Sequence, residues 1–216
     1  MDFSFMSEYW GFFVKGAELT VLLSIFTVIL GGIGGMLLSL MKLSRIWVLK
    51  AIATAYIEFF RGTPLLVQLF IVYFGLPQLG LSFNEFTAGV VTLSINSAAY
   101  IAEIFRAGIQ GVDKGQTEAA RSLGLSHRQT MRKIILPQAF RNILPALGNE
   151  FIVVIKESSI VSVIGTRELM YNADTVRSNT FQPFEPLIVA ALIYFILTFA
   201  LSKLLGVLER RLQARD

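Results

Sequence analysis

Five polar side chains, Glu58, Thr63, Asn96, Ser97 and Tyr100, are set into long apolar stretches of this chain. Ionisable and amide groups in hydrocarbon are costly, so they mark either a solute pathway or a satisfied structural tie. A free amino acid crossing a membrane needs an acceptor for its ammonium, donors for its carboxylate and selective groups for its side chain. Glu58 offers a negative charge to a cationic group. Asn96, Ser97 and Tyr100 suit an amide or carboxylate, and backbone N–H groups near Thr63 can hold a carboxylate. If Glu58 stays ionised and is not neutralised by Arg61, such a site favours a basic amino acid. Thr92, Asn96, Tyr100 and Glu103 follow helical steps and so share one face. Interhelical glue is the competing use of that stripe. Glu58 with Arg61, and Glu103 with Arg106, also have the spacing of intrahelical ion pairs.

Composition places these residues in a bilayer. Of the 216 residues, 54% are hydrophobic and only 16% charged, and the mean hydropathy is +0.64. An ordinary soluble domain is excluded. The length suits about five spans of roughly 20 residues with short loops, so a single all-α transmembrane domain over 1–216 is expected, with no second folded domain. Apolar segments lie at about 17–41, 51–76, 86–108, 138–157 and 185–208. The opening MDFSFMSEYW is acidic and aromatic and lacks the marks of a cleaved leader, so the first span is expected to direct its own insertion. Cysteine is absent and His127 is the one histidine, which leaves no expected metal site.

Charge orients the bundle. Lys42, Arg45, Lys50, Lys114, Arg121, Arg128, Arg132, Lys133, Arg210, Arg211 and Arg215 fall on one side of a five-span arrangement; Lys15, Arg167 and Arg177 fall on the other. The positive-inside rule then puts the N-terminus outside and the C-terminus in the cytoplasm. A net charge of +4 needs no nucleic acid to explain it, because the excess sits where topology and anionic lipid would place it.

Local signals refine the elements. Gly31 and Gly35 are four apart in the first span, a spacing that lets two helix backbones approach closely, within the bundle or across a dimer seam. RGTP at 61–64 interrupts the second span, because proline removes a backbone donor and disfavours helix at Thr63. Either a kink results, or Thr63 caps a new half-helix with Pro64 at its first position. The segment GQTEAARSLGLSHRQTMRKIILPQAF, 115–140, is basic and polar. Thr117 to Leu123 reads as a short helix closed by a left-handed Gly124. Ser126 and Gln129 form a capping box for a second helix running to Pro137. The pair is a docking surface for another protein, with Ala119 and Ala120 small and Glu118 and Arg121 charged, or an interfacial helix pair resting on headgroups.

Within this segment Glu118-Ala119-Ala120, Gly124, Ile134 and Leu136-Pro137 stand at the spacings of the EAA loop of ATP-binding-cassette importer permeases, which they resemble. IEFFRGTPLLVQLF (57–70), NSAAYIAEIFRAGI (96–109) and KESSIVSVIG (156–165) are similar to segments of the polar-amino-acid subgroup. The resemblance implies a five-helix, type I permease subunit in a prokaryotic cell membrane, with a cytoplasmic coupling loop at 113–137. It implies pairing with a second permease subunit, identical or paralogous, and an extracytoplasmic binding protein that delivers a histidine-, arginine-, lysine- or glutamine-like substrate. It implies an ATPase subunit that receives the loop and holds ATP and magnesium, none of which this chain would bind. No phosphate-cradling G-x-x-x-x-G-K-[ST] occurs, consistent with a non-catalytic subunit. A permease for an opine or cystine, and an ion-coupled carrier or channel using Glu58 and Glu103, are the alternatives; no internal repeat of the carrier kind is evident.

Overall fold

A single helix, α1, runs without interruption over the 37 residues Met6–Lys42, beginning well before the apolar segment at 17–41. Tertiary packing extends it, since Phe5 and Phe13 are buried in a cluster with Leu169, Val176 and Ala190. The computed structural model describes residues 1–213, so Arg215 of the basic tail lies outside the described residues. All regular structure among them is helical.

The most extensive helix pairing joins α1 to α4, Glu85–Gln110. Glycine makes it possible. A Cβ on Gly31 would stand 3.2 Å from Ser97 Cβ, and one on Gly35 would stand 2.7 Å from Ile101 Cβ and 2.9 Å from the Ala98 carbonyl. The two glycines therefore serve close packing inside this chain. Asn84 starts α4 by accepting a hydrogen bond from the Thr87 amide at 2.8 Å. Of the apolar stretch of α4, 67% is buried inside the protein, against 11% for α9, Glu185–Gln213. Thus α4 is the central rod and α9 lies at the periphery.

The second apolar segment is broken at RGTP. Helix α2, Trp47–Gly62, ends with Thr63 extended (φ −116°, ψ 146°), and α3, Leu65–Phe70, leaves at 105° to it. Pro64 is itself extended, with ψ 134°, so it is the cap of α3 rather than its first residue, and Thr63 is not the cap expected of it. The break follows from proline's restriction of the preceding residue. A π turn, Ile71–Gly75, and a 3-10 turn, Leu76–Leu79, complete this limb before Gly80 reverses the chain at φ 84°.

After α4 come α5, Lys114–Ser122, and α6, His127–Thr130, then a π turn over Met131–Ile135 that runs into α7, Leu136–Glu157. Pro137 does not end the second loop helix as expected. It lies in the first turn of α7, directly after the π turn, whose widened helical register accommodates a residue without an N–H. Pro145 sits inside α7. A 3-10 segment, Ser158–Ile164, leads to α8, Leu169–Thr180, a helix that hydropathy alone does not mark. By length and composition α1, α4 and α9 can each cross a membrane, and the bent pair around Pro64 raises the number to four. The expected span at 138–157 is not among them; α7 carries Arg141, Asn149, Glu150, Lys156 and Glu157, and packs along α4 and α9.

Candidate functional site

Two groups of residues stand out, one in a projecting loop and one among the helices. Asp113 opens the loop by accepting a bond from the Gly115 amide at 2.7 Å, which fixes the start of α5. Its end is a Schellman arrangement: the Leu125 amide donates to the Ala120 carbonyl at 3.1 Å, with Gly124 left-handed at φ 81°. The capping box is present, with Gln129 N donating to Ser126 Oγ at 3.3 Å and Ser126 N donating to Gln129 Oε1 at 2.9 Å.

These local bonds hold α5 away from the bundle. Glu118, Ala119 and Arg121 are exposed, and Leu123 is 83% exposed. Ala120, by contrast, is buried, so the two alanines do not share a side as expected. Ile134 and Leu136 are half-buried and root the loop, while Pro137 is exposed. Gln138 Nε2 reaches back to Gln116 Oε1 at 3.4 Å. An exposed leucine thus ends a helix that is capped at both ends and carries an exposed carboxylate and guanidinium.

Among the helices the structure joins Asn96 and Ser97 to different partners. Asn96 Nδ2 donates to Gln68 Oε1 at 3.0 Å and to the Phe60 carbonyl at 3.2 Å. Gln68 Nε2 donates to the Phe60 and Thr63 carbonyls and to Thr63 Oγ1 at 2.9–3.1 Å. Asn96, Gln68 and Thr63 therefore seal the backbone groups that the break at Pro64 leaves open. Ser97 Oγ donates to Glu150 Oε1 at 2.8 Å, bringing a carboxylate of α7 against α4.

Around these, Arg61 lies over the Tyr100 ring, 5.2 Å from its centroid, and makes no ion pair with Glu58 among the described residues. Glu58 and Tyr100 are exposed on α2 and α4. Lower down, Glu103 binds Arg106 Nη2 and Lys42 Nζ, each at 2.7 Å, so the expected pair is present and also anchors the end of α1. Thr92 Oγ1 turns back to the Ala88 carbonyl at 2.8 Å. Most of the polar stripe is thus spent on ties between and within helices.

Sequence reasoning missed Glu150. An ionisable residue inside the expected span at 138–157 meets the same criterion that singled out Glu58, so the signal was present. Also missed was Glu168, in the connection between α7 and α9, which accepts from the Met170 and Tyr171 amides, Tyr194 Oη and Thr20 Oγ1 at 2.7–3.4 Å. Burial pushes its carboxyl above the ordinary range, and those four donors pull the other way.

Residues 31–214 match the family described as the binding-protein-dependent transport system inner membrane component. The chain is 46% identical over 217 residues to the arginine transport system permease protein ArtQ of Bacillus subtilis (strain 168), covering 100% of this chain and 99% of that one. A structure described as the crystal structure of an amino acid ABC transporter with histidines superposes with a TM-score of 0.95 at 54% identity, covering 98% of this chain and 99% of the other. An inward-facing structure of the MetNI methionine ABC transporter shares the fold alone, with a TM-score of 0.78 at 20% identity over 98% of this chain and 99% of that one. With that match running from the middle of α1 into the C-terminal tail, this chain belongs to the family of inner-membrane components of binding-protein-dependent transport systems.

Proposed function

We propose that this chain forms the translocation pathway of an ATP-binding-cassette importer for polar, preferentially basic, amino acids, as a single five-span domain over 1–216 in a prokaryotic cell membrane. Its N-terminus lies outside and its C-terminus in the cytoplasm, with α7 as the fourth span, shielded by α4 and α9. Two permease subunits, identical or paralogous, pair around the pathway. An extracytoplasmic binding protein delivers the substrate, and an ATPase subunit holding ATP and magnesium receives the loop 113–137 through Glu118, Ala119 and Gly124, with Ala120 packed inward beneath them and Ile134, Leu136 and Pro137 at its base.

The single observation that carries coupling is α5: capped at both ends, exposed along Glu118 and Ala119, and bearing Leu123 at 83% exposure. A helix resting on lipid has no need of so firm a closure at each end. The observation that favours a cationic substrate is Glu150 against Ser97. That carboxylate accepts the substrate's cationic group, assisted by Glu58. Asn96, Ser97 and Tyr100 meet its polar groups, and the break at Thr63 brings backbone close to it.

Reconstitution with the cognate ATPase and binding protein tests the reading. ATPase activity stimulated most by arginine, lysine or histidine, and then by glutamine, is the expected result. Stimulation by none of the amino acids would overturn the substrate class. Gly124→Pro and Glu118→Lys should each abolish transport without loss of the inserted protein; undiminished co-purification with the ATPase, with full transport, would remove the coupling role.

A further inference from the structure

A second polar site opens at the other end of α4 from the coupling loop. Glu85 and Phe86 at the start of α4, with Thr166, Arg167 and Tyr171 around the start of α8, line a cleft of about 610 Å³, within the size range of small-molecule sites. Thr166 is 3% and Glu168 0% exposed, so the backbone turns both inward and sends Arg167 out between them. Gly165, left-handed at φ 93°, ends the preceding 3-10 segment, and a Cβ there would stand 3.9 Å from Glu85 Cγ. This places Glu85 beside the turn that carries Arg167.

Two features of the cleft fit a ligand. Glu85 and Arg167 carry opposite charges and line one cleft, yet no ion pair joins them among the described residues; Glu85 accepts only a 3.4 Å bond from Tyr73 Oη. The frame is fixed, because Glu168 ties this segment to α1 and α9 through Thr20 and Tyr194.

We propose that the cleft binds a free α-amino acid by its zwitterion, with Glu85 taking the ammonium and Arg167 the carboxylate. The inference rests on the orientation and importer role proposed above, which put the cleft on the extracytoplasmic face. Leu19 and Phe86 present hydrocarbon, and no further charge lines the cleft. It therefore reads the common backbone of amino acids and leaves side-chain selection to the carboxylates deeper in the membrane. Arginine and glutamine bind it alike.

Equilibrium binding of radiolabelled L-arginine to the permease with its ATPase, in nanodiscs without nucleotide or binding protein, tests this. Two sites per permease chain are expected. Arg167→Gln and Glu85→Gln should each remove one site and spare the other. N-acetylarginine and arginine methyl ester, each lacking one charge of the zwitterion, should not compete there, whereas L-glutamine should. Glu150→Gln should weaken only the other site; its failure to do so, with the Arg167-dependent site intact, would refute the membrane site and leave the cleft standing. Binding unchanged by Arg167→Gln and Glu85→Gln would overturn the cleft. It would equally be overturned if Arg167→Gln raised only the binding-protein concentration needed for half-maximal ATPase activity, which marks a protein contact. Loss of the second site in phosphatidylethanolamine nanodiscs but not in phosphatidylglycerol would assign the cleft to a lipid headgroup instead.

Discussion

Under the function proposed above, Glu150 and Glu58 make separable demands on a substrate. Replacing either by glutamine keeps the shape and removes the charge, and a charge-assisted contact is worth on the order of 1 to 3 kcal/mol. Glu150→Gln should therefore weaken stimulation by arginine, lysine and histidine about tenfold or more while reducing that by glutamine less. Equal loss for all four would make Glu150 a structural partner of Ser97. Glu58, exposed and without an ion pair to Arg61, should show the same bias at smaller amplitude. Gly35 poses a packing question instead. A methyl group there meets Ile101 Cβ and the Ala98 carbonyl inside contact distance, so Gly35→Ala should cost about 1 to 3 kcal/mol as overpacking, read as a lower unfolding midpoint in detergent. Gly32, with nothing within 4 Å of such a Cβ, should tolerate the same change.

The elements differ in how far local chemistry alone declares them. Asp113, the Gly124 turn and the Ser126–Gln129 box close α5 and α6 through bonds spanning at most five residues; accordingly the Gly124 closure and the capping box were readable in sequence. Likewise Pro64 announced a break. What hydropathy could not give was α8, because its stability comes from Leu169, Ala173 and Val176 packing on α1 and α9 and from the cap by Glu168. The extension of α1 back to Met6 is similarly tertiary, and the pairing of Ser97 with Glu150 depends on how α4 and α7 rotate against each other. Glu168 permits a test at this scale. Its pKa is raised in the folded state, so the folded protein holds that proton more tightly than the unfolded chain. Stability from this group is then present at low pH and lost as pH rises from the ordinary glutamate value through the raised one. Glu168→Gln should flatten that part of the pH dependence of the unfolding midpoint; an unaltered slope would place its source elsewhere.

For the whole molecule, orientation is the first thing to measure. A cysteine at Ser82 should react with an impermeant thiol reagent added outside intact cells, and one at Ser126 should not; the reverse pattern would turn the bundle over and move α5 away from any cytoplasmic ATPase. The cysteine-free background makes each label unambiguous. The arrangement of α4 has a mechanical meaning. Its 26 residues make a rod of about 39 Å at 1.5 Å per residue, gripped at its middle, from Ser94 to Ile101, by the glycine face of α1 and clamped near its lower end by Lys42 on Glu103. The lower end passes into α5 through Gly111, Val112 and Asp113 alone, and the upper end carries Glu85. A push on α5 therefore has little slack in which to dissipate before it reaches the rod. The limb beyond Pro64 is lashed to that rod by Gln68 on Asn96 and by buried Leu69, so a displacement of α4 carries α3 with it.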